Sequence, residues 1–191
     1  MRISRLKILG VIIVIFIISI SLFYLKKSKS IDEGWRAYVN EEYGFKLDYP
    51  SDWAVEEKSE ENPESPVLKT FHFDVGRTHT NLPGNSGQVS VLYWECENNN
   101  SCFNQQILLI TGMKDRQGNI EKVKKNGLKG LKGFWFSSGE VTKSIDTREV
   151  YMAKENKGIY IIIGTAQDSS NSNYQYIEKV KKIISSLKFV N

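Results

Sequence analysis

Few side chains in this 191-residue chain are of types and spacings that do chemistry. His72 and His79 are its only histidines, and Asp74 lies between them. Imidazole and carboxylate groups suit zinc or manganese, so a metal-assisted hydrolase using His72, Asp74 and His79 is conceivable. The set lacks a fourth ligand and its spacing is poor. A strand-face histidine beside an unrelated loop histidine is the simpler reading.

Asp48, Asp52 and Glu56 lie near Trp53 as a possible carboxylate pair, but Asp52, two residues after Pro50, reads as a turn residue. Ser137-Ser138 and Ser185-Ser186 occupy turn and helix-end contexts without a partner to activate a nucleophile. The basic run from Lys122 through Lys132, interrupted by glycines, is able to meet anionic lipid or an acidic partner. As alternating strand positions on a solvated face it needs no function. Trp135 and Phe136 are adjacent, so in a strand their rings face opposite sides. With Trp94, both rings are expected to be buried in a sheet covered on each face. No catalytic residue, metal site or cofactor follows from these groups.

Two cysteines, Cys96 and Cys102, flank Glu-Asn-Asn-Asn-Ser. That turn-rich spacer suits a small disulfide loop, worth roughly 2–3 kcal/mol on the chain-entropy model, in an oxidising compartment. It is not a redox Cys-x-x-Cys pair, and two cysteines alone make no zinc site. Asn99-Asn100-Ser101 matches a glycosylation acceptor, a pattern common by chance.

The elements that must position these groups read mostly as strands. Trp35–Val39 is a first strand. Tyr43, Phe45, Leu47 and Tyr49 then share one face at period two until Pro50 removes a ladder donor. Trp53 and Val55 resume an inward face, and Glu56–Pro66 reads as a charged loop. Val67–Val75 alternates with Phe71 and Phe73 on one side, and Gln88–Glu95 is a strong strand. Asn104–Lys114 has helical spacing of Ile107 and Ile110. Strands are expected at Ile120–Lys125, Leu128–Ser137, Thr147–Lys154 and Gly158–Thr165. Asn126-Gly127, Ser138-Gly139 and Asn156-Lys157 supply the hairpin turns between them. After the polar loop Asp168–Asn173, a final helix carries the stripe Tyr174, Ile177, Val180, Ile183, Ile184 and Leu187. Such a helix packs on a sheet, so the class is α+β with a mainly antiparallel sheet.

Ahead of this domain, Ile8–Leu25 is an uncharged apolar run flanked by Arg2, Arg5 and Lys7 on one side and Lys26, Lys27 and Lys29 on the other. At ~1.5 Å per residue it reaches about 27 Å, enough to cross most of a hydrocarbon core. The organisation expected is a basic tail (1–7), a transmembrane anchor in the lipid bilayer (8–25), a tether (26–34) and a domain (35–191). Ser19-Ile20-Ser21 is a poor signal-peptidase site, and the apolar run continues past it, which favours a retained anchor. The flanking charges balance, so the positive-inside rule gives no orientation. A short basic tail inside and a domain outside the cytoplasm is the favoured arrangement. Residues 1–30 hold six of the 26 basic residues and no acidic one, leaving 20 basic against 22 acidic. A domain with that balance has no electrostatic case for nucleic acid.

The segment Tyr43-Gly-Phe45…Tyr49-Pro50-Ser-Asp-Trp53-x-Val55 resembles the opening of PsbP-like domains. Ile183-Ile184-Ser185-Ser186-Leu187-Lys188-Phe189 is similar to their close, where a helix runs into a short final strand. The resemblance spans roughly residues 35–190. It implies an α/β/α sandwich around a twisted antiparallel sheet and a non-catalytic role. PsbP proteins of oxygenic phototrophs assist the water-oxidising side of photosystem II, and similar domains occur widely in exported bacterial proteins. This chain departs from the photosynthetic members in its anchor, with no plastid-type transit segment and no lipid-attachment cysteine. Fold therefore carries over and a photosystem role does not. What the sequence supports is a membrane-anchored binding or assembly module with a protein partner in the envelope, or a structural subunit of an envelope complex.

Overall fold

The computed structural model describes residues 34–59, 67–75, 85–96, 119–153, 158–170 and 173–190. Residues 1–33 form a unit separate from residues 34–191 and lie outside the described residues, as does the predicted anchor with them. Among the described residues no helix is long and apolar enough to cross a membrane.

The described chain is a mostly antiparallel β protein with one C-terminal helix packed on the sheet. Strands β1 (Trp35–Asn40) and β2 (Phe45–Pro50) form a hairpin that β10 (Lys188–Phe189) joins on the other side of β2. The larger sheet runs β3 (Ala54–Ser59), β4 (Val67–Asp74), β5 (Ser86–Glu95), β9 (Gly158–Ser169), β8 (Thr142–Met152), β7 (Leu128–Ser138), β6 (Asn119–Lys125). Every pairing is antiparallel. The β6–β7 turn is Asn126-Gly127, with φ of 49° and 89°. These positive values match the right-handed twist of the flanking strands, which is why Asn-Gly occurs there.

The helix α1 (Gln175–Ser186) buries Ile177, Val180, Ile183 and Ile184, the stripe expected from the sequence. Its first turn is capped from a distance. The buried Asp168 carboxylate, on β9, accepts the amides of Tyr176 (3.2 Å) and Ile177 (2.9 Å), groups that have no partner within the helix. Gly164 lets the helix sit close on β9, because a Cβ there would lie 2.4 Å from Ile184 Cδ1.

Three expectations change. Glu56–Pro66 was expected to be a loop, but Ala54–Ser59 is the edge strand β3, paired with β4 through Val55↔Phe73 and Glu57↔Phe71. An edge strand with one ladder to satisfy tolerates the charged run Glu56-Glu57-Lys58, which also discourages pairing with another chain. Strand β8 begins at Thr142 instead of Thr147, and β9 runs on to Ser169, because Thr142 pairs with Ser169 across the whole hairpin. Asp168 is thus a strand residue. The helix expected at Asn104–Lys114 lies outside the described residues.

Candidate binding groove beside the helix end

Strand β8 puts Ile145, Thr147, Glu149 and Tyr151 on the face that α1 covers, at 1–4% exposure. Period two forces those four onto one side, so a glutamate stands in an otherwise core-facing series. Next to β8, β7 contributes Lys132 and Phe134 to the same face. Strand β6 adds Glu121, Val123 and Lys125, through the pairs Glu121↔Lys132 and Val123↔Gly130. The helix does not reach this edge fully. Between Lys181, Ile184 and Ser185 of α1 and the three strands there is a groove of about 560 Å³, within the ~300–1,000 Å³ usual for small-molecule sites.

Its deep end is a closed polar network. The Tyr151 hydroxyl donates to Glu149 Oε2 at 2.8 Å, and Lys125 Nζ donates to the same oxygen at 3.2 Å. Lys125 also donates to the Ile184 carbonyl at 2.9 Å and lies 5.7 Å from the centre of the Tyr151 ring. One ammonium therefore serves the buried carboxylate, the negative end of the helix and an aromatic face together. Burial, followed by the charge and hydrogen bond of Glu149, pushes the Tyr151 phenol far above its ordinary value and keeps it a donor. Gly130 makes room for the ring, since a Cβ there would meet Tyr151 Cδ1 at 2.6 Å and the Val150 carbonyl oxygen at 2.3 Å.

The mouth is looser. Lys132 Nζ lies 3.8 Å from Glu149 Oε1 and 4.0 Å from Glu121 Oε1, beyond hydrogen-bond reach. Lys181 pairs with Glu178 at 2.9 Å on the solvent side. Val123, Phe134 and Ile145 form an apolar floor.

The residues singled out in the sequence lie elsewhere. His72 is half-buried on β4, with Nδ1 2.8 Å from Ser90 Oγ and 3.2 Å from the Gln88 side-chain amide. His79 lies outside the described residues, and among the described residues no three His, Cys, Asp or Glu side chains gather as a metal site would require. Asp52 meets Lys179 at 3.4 Å and Glu56 meets Lys58 at 3.1 Å, so those carboxylates do not converge. Ser186 Oγ accepts from the Asp48 amide and donates to the Ile183 carbonyl, while Ser185 donates to the Lys182 carbonyl; both are helix-end bonds. Cys96 directly follows β5 and is half-buried, and Cys102 lies outside the described residues. Trp94 packs against Val150, Ile159 and Ile161 on the face away from α1.

Phe136 is not buried but 41% exposed. The described part of β6 extends only as far as Phe134 along β7, so nothing on β6 flanks Phe136. The Lys122–Lys132 run is not uniformly solvated either: Lys125 and Lys132 face inward to the groove. Glu149 and Tyr151 were not singled out in the sequence, and the signal that marks them is the glutamate within the inward series of β8.

No protein-family description matches this chain, and no curated protein matches it in sequence. Solved structures do resemble it. Cyanobacterial PsbP (CyanoP) from Synechocystis sp. PCC 6803 aligns over 85% of this chain and 96% of its own, at 15% identity and a TM-score of 0.48. LpqN of Mycobacterium tuberculosis, described as involved in cell envelope biogenesis, aligns over 82% and 91%, at 9% identity and a TM-score of 0.45.

Proposed function

We propose that this chain is a membrane-tethered binding module, without catalysis, whose domain lies outside the cytoplasm and whose ligand site is the groove between α1 and β6–β8. The observation that carries the reading is the groove itself, an open apolar floor beside a buried Glu149–Lys125–Tyr151 network. Such a network holds the walls in one geometry before a ligand arrives, which lowers the ordering cost of binding. The same network lacks a nucleophile paired with a base, and Tyr151 is held as a donor, so the arrangement suits recognition. The tether would keep the site close to the bilayer and raise its effective concentration for ligands or partners there.

The finer architecture belongs to this proposal. Val150, Ile159 and Ile161 are buried on the face away from α1. The expected helix Asn104–Lys114 is an apolar segment suited to cover that face, which would complete an α/β/α sandwich. A Cys96–Cys102 disulfide would close the loop that leads into it.

The groove is tested with the full chain in phosphatidylcholine nanodiscs and Nile red as a neutral apolar probe. Val123→Trp fills the floor from the edge strand. Saturable fluorescence in excess of an otherwise identical Val123→Trp preparation is the expected result; indistinguishable curves would overturn the groove as a site. Location is tested in intact cells with a membrane-impermeant thiol reagent. Labelling only after reduction is expected, whereas thiols that react only after lysis would place the domain inside.

A further inference from the structure

The charge of the groove runs against that of the domain around it. Beyond residue 30 acidic residues outnumber basic ones, 22 to 20. The groove reverses this, with Lys125, Lys132 and Lys181 facing it against Glu121 and Glu149, while Lys124, paired with Lys129, points to the other face. A cationic rim over an apolar floor has one chemical complement, an anion attached to a hydrocarbon body.

The lysines are not equivalent. Lys125 is committed to Glu149, to the Ile184 carbonyl and to the Tyr151 ring. The helix end at Ile184 would itself repel an anion. Lys132 is held by two contacts of 3.8 and 4.0 Å, and its three ammonium hydrogens are available to a better acceptor. If Lys132 turns to a ligand, Glu149 keeps its two shorter partners, Tyr151 at 2.8 Å and Lys125 at 3.2 Å. The exchange therefore leaves no buried carboxylate unpaired, the outcome that would make it costly.

We propose that the groove binds a single-chain amphiphile with one anionic head group, the head group at Lys132 and the chain along Val123, Phe134 and Ile145, with Lys181 held by Glu178 on the solvent side. This rests on the groove being the ligand site and adds the chemistry of what fills it. Lys132 is the residue that selects the anion, and Lys125 is a positioning residue that holds the wall.

The test is calorimetric titration of the full chain in phosphatidylcholine nanodiscs with octyl phosphate, octanoate, octanol and octyltrimethylammonium, each read as the excess over the Val123→Trp preparation. Saturable binding of at least one anion is expected, with octanol and the cation at least tenfold weaker, and the tighter anion identifies the head group. Lys132→Ala should weaken the anion about tenfold, as expected for losing a charged hydrogen bond. Lys132→Arg should restore most of it. Lys129→Ala, on the opposite face of the same strand, should change nothing. Octanol binding as tightly as either anion, or an unchanged Lys132→Ala, would overturn the anionic head group. Absence of binding by every probe would overturn the proposal as well, and the Nile red comparison then shows separately whether the groove itself stands.

Discussion

The two ends of one sheet face are built on opposite principles. Over β4, β5 and β9 the face is closed by rings. Phe45 stacks edge-on against Phe71 at 5.0 Å, Tyr38 meets Phe73 at 5.2 Å, and Tyr160 lies 4.6 Å from Phe189. Phe45, Phe71 and Phe73 are fully buried. The small sheet reaches β8 only where Phe189 meets Tyr151 at 5.3 Å; among the described residues no strand lies over this face of β6 and β7, and α1 overlaps only part of it. There the filling is a glutamate, a tyrosine and lysines around an open groove. A seven-stranded sheet is wider than the small sheet and single helix that cover it. The closed end holds the fold together, and in the proposed function the uncovered end is where the ligand sits.

The strongest test of that contrast compares two phenylalanines. Phe71→Ala should destabilise the domain by about 3–5 kcal/mol, since it empties a ring-packed site that neighbours cannot refill. Phe134→Ala, on the groove floor and half-buried, should cost under about 1.5 kcal/mol, because part of its surface is already open to water. Equal losses in chemical denaturation would mean the groove end is core as well, and the division would fail.

Next in size is the buried carboxylate. Glu149→Ala strands Lys125 in a largely buried position and should cost about 2–4 kcal/mol. Replacing the network together, Lys125→Met with Glu149→Leu and Tyr151→Phe, should recover most of the loss, because no buried polar group is then left without its partner. Failure to recover would show that Lys125 matters chiefly as the cap of the Ile184 carbonyl.

The closed end was the more legible in sequence. Phe71 and Phe73 alternate within Val67–Val75, and the α1 stripe follows the helical period, while at the open end only Asn126-Gly127 announces a hairpin, that of β6 and β7. Such signals are local, and each is visible within a dozen residues. Strand β3 was unreadable because Ala-Val-Glu-Glu-Lys-Ser offers one inward apolar residue, and pairing with β4 decides its state. The groove was unreadable for a different reason. Lys125, Lys132, Glu149 and Ile184 come from three strands and a helix, joined only by the order of strands in the sheet. Read alone, lysines alternating along an edge strand look like a solvated face.

Tyrosine titration tests the packing of the closed end. Burial pushes the phenols of Tyr38 and Tyr160, in the closed end, up to about 12. Tyr38 donates to Glu57 at 2.6 Å and Tyr160 to the Tyr43 carbonyl at 2.6 Å, bonds that need the protonated form. A folded value above the unfolded one of about 10 means that the native state holds these protons more tightly. The associated stability is fully present below pH ~10 and is lost as pH rises towards about 12. Ultraviolet difference spectra of the folded protein should show these phenols half-ionised only at about 12, and not near the ordinary value of about 10. Tyr160→Phe should flatten the fall in stability between those values, and an unchanged fall would remove Tyr160 from the argument.

The smallest expected effect is the most discriminating. Lys132→Ala should change stability by less than about 0.5 kcal/mol. Its two ion pairs are long, its side chain is 35% exposed, and screened contacts of that kind contribute little. In the closed end no buried side chain can be removed so cheaply, because packing is its whole role. In the proposed function, a lysine that faces inward yet does little for the fold serves the ligand instead. Should Lys132→Ala lower the denaturation midpoint as much as Glu149→Ala does, Lys132 would belong to the structural network. The distinction between a closed end that folds and an open end that binds would then no longer hold.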